Sequence, residues 1–351
     1  VAVLVTGSAG YIGSHMVWEL LDAGESVVVI DDLVTGFRWA VPSQFELVVG
    51  CIGDQDLVRT VMKKHDISSV IHFAGSVVLL DSVSDPLGYY LNNTVRSRSL
   101  IESAVQMGVK NFIFSSTTAV YGDPKETPVA EDATPAPMSP YGSSKLMTEI
   151  MLADTARAHD FRYSALRYFN VAGADPQGRT GQSTRSATHL IEVACETALG
   201  KRDRIDVFGT DYPTADGTCV RDYIHVKDLV RAHTSALHYL RNGGQSDIFN
   251  VGYSKGYSVL EVLDSVKRVS GAAFDVRLSP RRPVDPAGIV TASAKMRATL
   301  GWEPKHDDLD QVVRQALAWE DHLIYRFENE GRQGDGYNAA TSPTVKVKLY
   351  L

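Results

Sequence analysis

A chain of 351 residues, 44% hydrophobic and 22% charged, has enough apolar material for a large buried core and two lobes. A net charge of −7 without a long run of Lys or Arg argues against a nucleic-acid surface. Three dispersed cysteines (Cys51, Cys195, Cys219), 10 histidines without an HExxH pattern and no bilayer-length apolar run set aside a disulfide framework, a metal centre and a membrane span, and predict a reducing, cytoplasmic setting.

Taken in chain order, short apolar runs at Val1–Val5, Val27–Ile30, Val70–Phe73, Phe112–Phe114 and Tyr163–Leu166 predict buried parallel strands. Amphipathic stretches between them predict helices at Ile12–Ala23, Asp54–His65, Pro86–Met107 and Pro140–His159. Such βα alternation implies an α/β fold with a Rossmann-type, doubly wound parallel sheet. Between Tyr121 and Tyr141 a loop carrying Pro124, Pro128, Pro135, Pro137 and Pro140 is expected to wall or cover a site. After Asn170 helices are predicted at Ala187–Gly200, Val226–Arg241, Ser258–Ser270 and Asp308–Glu328, with one more strand of the main sheet at Asp247–Gly252. The expected division is a cofactor domain over residues 1–170, completed by 226–252, and a smaller discontinuous α/β lobe from 171–225 and 253–330. Residues 331–351 form a polar, glycine-rich tail ending in a strand-like alternation.

The first chemistry-bearing segment is Gly7-Ser8-Ala9-Gly10-Tyr11-Ile12-Gly13, set between the first strand and the first helix. Glycines permit a tight turn and close approach to a pyrophosphate, and a helix N-terminus offers unpaired N–H donors. Asp31 ends the second strand about 20 residues on, where a carboxylate accepts the adenosine ribose hydroxyls and repels a 2′-phosphate. The pattern favours NAD over NADP, with Asp32 beside Asp31 and with Arg38 nearby as a weakening influence.

Tyr141 and Lys145 stand at i and i+4 on one helix face, after a Ser139 cap and Pro140 at the first helical position. A phenol titrates near pH 10, and a fixed ammonium one turn away favours the phenolate. Thr117, at the end of the strand beginning at Asn111, faces the ligand crevice of such a sheet, where its hydroxyl can meet both a substrate oxygen and the phenol.

Together Gly7, Gly10, Gly13, Thr117, Tyr141 and Lys145 resemble the short-chain dehydrogenase/reductase superfamily in its extended, nucleotide-sugar branch. The blocks Arg167–Asn170, Phe208–Asp222, Arg221–His225 and Pro280–Arg282 narrow the resemblance to the UDP-glucose 4-epimerase family over residues 1–328. That likeness implies tightly held NAD, a 4-keto sugar intermediate, Tyr141 as base, Thr117 on the 4-oxygen and Lys145 on the ribose. It further implies cofactor contacts from Gly7, Gly10, Tyr11, Ile12, Gly13, Asp31, Asp32, Ile52, Phe73, Ala74, Gly75, Asn92, Ser115, Tyr141, Lys145 and Tyr168. On the UDP-sugar side it implies Thr117, Phe169, Asn170, His189, Leu190, Phe208, Arg221, Arg282 and Asp285, with a homodimer formed through the helices Pro86–Met107 and Pro140–His159.

Sister reactions of the same branch need an acid after the strand-end threonine, and Thr118 and Ala119 supply none. Epimerisation is therefore expected over dehydration or decarboxylation. A binding protein without turnover is the reading from another class; the intact Thr117, Tyr141 and Lys145 count against it. Cys51, Val77, Arg96 and Ala292 depart from the family pattern, and looser retention of NAD is expected. Ile289 leaves acceptance of N-acetylated sugars open at this stage.

Overall fold

The computed structural model describes residues 1–184, 188–282 and 286–330. Its strands are β1 Ala2–Thr6, β2 Val27–Asp31, β3 Leu47–Val49, β4 Ile67–His72, β5 Asn111–Thr117, β6 Arg162–Tyr168, β7 Asn170–Ala172, β8 Arg204–Phe208, β9 Val220–His225, β10 Asp247–Val251, β11 Gly256–Ser258, β12 Asp275–Ser279 and β13 Gly288–Ile289. The helices are α1 Tyr11–Asp22, α2 Gln55–Lys64, α3 Leu79–Ser84, α4 Pro86–Tyr89, α5 Arg96–Gln106, α6 Pro140–Ala158, α7 Leu190–Ala198, α8 Val226–Arg241, α9 Val259–Ser270, α10 Ala294–Leu300 and α11 Leu309–Glu330.

Seven strands form the main sheet in the order β10-β6-β5-β4-β1-β2-β3, all paired in parallel. Helices cover both faces, so β1 and β2 are buried throughout and read as continuous apolar runs. Met16 and Leu20 of α1 pack with Leu229 and Leu237 of α8 on one face. Val58 of α2, Leu100 of α5 and Leu152 of α6 close the other. The chain winds outward from β1 to β3 and then crosses to β4, so the strand order reverses between β1 and β4. In this fold that reversal opens a ligand crevice at the carboxyl ends of the strands.

A second core joins Ala194 of α7, Val262 of α9 and Val313 of α11 under a sheet of β7, β9, β11 and β13. The strand expected at Asp247–Gly252 is β10, at the edge of the main sheet beside β6. The single helix expected over Pro86–Met107 is instead α4, a π-helical turn at Tyr90–Val95 and α5, with α3 ahead of them. Pro86 starts a new helix there, and the Asp85 carboxylate caps it by accepting from the Gly88 amide at 3.0 Å. The strands β3, β7, β8, β9, β11, β12 and β13, and the helix α10, were not expected; the shortest carry no usable periodicity, and the pairing of the others is made with residues distant in the chain. The proline-rich loop is pinned across the molecule: the Val129 amide donates to the Val290 carbonyl and the Ala292 amide to the Val129 carbonyl, both at 2.8 Å. The expected tail, 331–351, lies outside the described residues. Among those residues no helix is long and apolar enough to cross a membrane.

Candidate active site

The turn after β1 is a cradle whose geometry depends on its glycines. Gly7 has φ +67°, and a Cβ there would lie 2.7 Å from the Ala74 nitrogen. At Gly13 a Cβ would lie 1.9 Å from the Gly7 carbonyl oxygen, so α1 packs against the turn only with glycine in that place. Gly10, the residue before α1, supplies no side-chain cap, and no acidic residue occupies the first turn. The N–H groups of Tyr11, Ile12 and their neighbours therefore open toward the crevice, as an anionic pyrophosphate requires. Asp31 ends β2 beside the cradle and accepts from the amides of Ala9 at 2.9 Å and Leu33 at 2.8 Å. Burial nonetheless holds its carboxyl above the usual range. Asp32 is exposed and accepts from the Val34 amide, and Arg38 is exposed too. These features fit a dinucleotide.

At the end of β5 the catalytic candidates meet. Thr117 is buried, and its hydroxyl accepts from the Ala119 amide at 3.1 Å while also bonding the Tyr141 phenol. Ser139 caps α6 by accepting from the Gly142 amide at 3.2 Å, with Pro140 first in the helix, as the sequence predicts. Lys145, one turn along, is buried and donates to the Ser115 carbonyl at 2.9 Å. Burial lowers its pKa to about 8, against the opposing pull of Glu149. For Tyr141 the structure differs from the sequence expectation. Burial raises the phenol, the Thr117 hydrogen bond offsets this only in part, and the ammonium of Lys145 is spent on Ser115 rather than lowering it.

The surrounding groups hold this arrangement in place. The Phe73 ring lies 4.8 Å from that of His233, and a Cβ at Gly75 would lie 3.7 Å from Lys145 Nζ. Ser115 and the Tyr168 hydroxyl are hydrogen bonded. Asn92 donates to Ser76 Oγ at 2.8 Å from the π-helical turn, a feature frequent at functional sites. Its neighbour Asn93 was not singled out from the sequence, yet it is buried, accepts from the Ser76 amide at 2.7 Å and donates to Ser144 Oγ at 3.1 Å. Also missed were Glu149 and Arg167, a buried ion pair in which the carboxylate accepts from Arg167 Nε at 2.9 Å and from the Ser116 hydroxyl. The signal for Glu149 was present, since Tyr141, Lys145 and Glu149 continue one four-residue spacing.

Across the crevice a small cavity is lined by Tyr11, Asn170, His189, Leu190, Glu192 and Tyr223, among others, and so joins the cofactor turn to the second lobe. Tyr11 spans the two directly, its hydroxyl donating to the Gly173 carbonyl at 2.6 Å. His189 precedes α7 without capping it, leaving the N–H groups of Leu190 and its successors free for an anion. Glu192, in that first turn, is pushed up to about 8 by burial, which weakens its repulsion of a phosphate. Arg282 lies over the Phe208 ring at 4.9 Å, and Arg221 and Arg282 both act electrostatically on Tyr223. Phe169 packs against the cluster that buries Ile289. Ile52 is buried after β3, Val77 is exposed, and Asp285 lies outside the described residues.

Over residues 3–252 the chain matches the NAD dependent epimerase/dehydratase family. It belongs to that family. NAD is thus the cofactor for which the cradle is built. The chain is 52% identical over 332 residues to the UDP-glucose 4-epimerase of Azospirillum brasilense, covering 95% of each chain. It resembles the UDP-glucose 4-epimerase from Brucella ovis solved in complex with NAD, with a TM-score of 0.88 and 42% identity over 90% of this chain and 97% of that one. A TM-score of 0.90 relates it to the enzyme from Stenotrophomonas maltophila with bound NAD and formylated UDP-arabinopyranose, 36% identical over 93% and 99% of the two chains.

Proposed function

We propose that this protein is a UDP-hexose 4-epimerase that interconverts UDP-glucose and UDP-galactose. The observation that carries the reading is the meeting of Thr117, Tyr141 and Lys145 beside a dinucleotide cradle, with no acid at the next two positions. NAD, when bound, supplies a hydride acceptor and donor at C4 of the sugar. Tyr141 takes the proton from the 4-hydroxyl and later returns it to the 4-oxygen. Thr117 donates to that oxygen, and Lys145 holds the cofactor ribose. Arg221 and Arg282, with Asn170, His189, Leu190, Phe169 and Phe208, anchor the UDP group, leaving the 4-keto sugar free to turn before reduction. Thr118 is fully buried with its hydroxyl turned to the Tyr168 carbonyl, and Ala119 has no proton to give, so neither supports elimination.

The cofactor side comprises residues 1–170 with 226–252, and the UDP-sugar side 171–225 with 253–330. The partner of the chain is a second copy: Val83, Leu87, Leu91 and Val95 repeat every four residues and are exposed, beside Met147 and Ile150 of α6. Free thiols at Cys51, Cys195 and Cys219 suit the cytoplasm.

The test is incubation of the purified protein with UDP-galactose and no added cofactor. UDP-glucose should accumulate to a fixed equilibrium ratio, and denaturation should release NAD. Neither product nor dinucleotide would overturn the reading. Parallel rates with UDP-N-acetylgalactosamine define the breadth of the sugar pocket.

A further inference from the structure

Among the family departures, Arg96 and Cys51 both border Gly53. On the proposed reading, the dinucleotide runs from Tyr141 past the turn after β1 to Asp31 at the end of β2. The sheet order β1-β2-β3 then carries its base over the loop that follows β3, residues 50–54. Arg96, the first residue of α5, reaches that loop. A Cβ at Gly53 would lie 3.1 Å from Arg96 Cγ and 3.5 Å from Cys51 Sγ, so the absence of a side chain at Gly53 leaves room for the arginine stem. Arg96 Nη1 donates to Asn92 Oδ1 at 2.7 Å, which fixes the direction of the guanidinium. Among the described residues Arg96 makes no ion pair, although a guanidinium carries five donors. The loop's two side-chain acceptors are engaged locally: the thiol of Cys51 accepts from the Gly53 amide, and Asp54 caps α2 by accepting from the Leu57 amide.

We propose that Arg96 recognises the purine of the bound NAD, donating hydrogen bonds to acceptor atoms on the edge of the base. A carboxylate at position 51 would accept from the 6-amino group of adenine and repel a 6-oxo group. A guanidinium does the reverse, and its most frequent pairing with a purine edge is to O6 and N7. Recognition by Arg96 therefore tolerates hypoxanthine in place of adenine.

The experiment is exchange of the cofactor of the purified holoenzyme against labelled NAD or its hypoxanthine analogue, read as equilibrium occupancy. The wild type should take up the analogue at least as well as NAD, to within about threefold. Arg96→Met keeps the stem against Gly53 and removes the donors. It should weaken NAD about tenfold and the analogue more, with UDP affinity and melting temperature retained. Cys51→Asp should shift the preference about tenfold toward NAD. An Arg96→Met variant that binds NAD within about twofold of wild type overturns the assignment. So does a wild type that favours NAD over the analogue by more than about tenfold. A wild type that takes up neither dinucleotide overturns the cofactor reading itself, and this assignment with it.

Discussion

Tyr141 shows how far one side chain depends on its surroundings. Its hydroxyl is a poor base because burial raises it, and the Thr117 hydrogen bond alone does not reverse that. Replacing it with Phe should lower UDP-galactose turnover by at least about 10²-fold while leaving the melting temperature near wild type. Turnover within a few-fold of normal would remove Tyr141 from the mechanism. Glu149 sits one turn beyond Lys145 with both carboxylate oxygens engaged by the buried Arg167. Glu149→Ala leaves that guanidinium buried without its partner and should destabilise the protein by about 3–5 kcal/mol. The paired change Glu149→Leu with Arg167→Met should recover most of this in urea unfolding. A double variant as unstable as the single one would show that the pair is not the source.

At the scale of elements, the α6 start was legible because Ser139, Pro140 and the following helix formers are local signals. The Gly7–Gly13 turn was legible for the same reason, each glycine answering a steric demand within a few residues. The π-helical turn at Tyr90–Val95 was not, since it follows from packing against Ser76 and α6. That stretch also presents the exposed stripe of Val83, Leu87, Leu91 and Val95, of which Leu87 is 78% exposed. Replacing Leu87 and Leu91 together with Asp should halve the mass seen in sedimentation equilibrium. A wild type that is already monomeric at micromolar concentration would rule out the second copy as the occupant of this face.

For the whole molecule, burial of histidines predicts an acid limit. His15, His225 and His233 are held down to about 4 and His72 to about 3, each chiefly by burial, against 6.5 in the unfolded chain. Between these values the unfolded chain binds protons that the native one refuses. Their contribution is thus complete above pH 6.5 and is lost as pH falls, at about 1.4 kcal/mol per unit for each group. Glu192, raised to about 8, acts in the opposite sense between 4.5 and 8. So do Asp31, Asp222 and Glu320, each raised chiefly by burial, while His189, lowered by burial, adds to the four. The urea midpoint should therefore fall clearly from pH 7 to pH 5; an equal or higher midpoint at pH 5 would contradict the balance.

The amino-acid sequence by itself determined the doubly wound sheet, the dinucleotide turn and the Tyr–Lys helix, because alternation, glycine sterics and helix capping act over a few residues. It also carried the reaction class, through groups that are missing at Thr118 and Ala119. Only the tertiary structure decided that burial raises Tyr141 while Lys145 bonds the Ser115 carbonyl, that Glu149 and Arg167 pair behind the site, and that Arg96 occupies the space left by Gly53. Those outcomes depend on desolvation and on contacts between residues distant in the chain, neither of which leaves a local pattern.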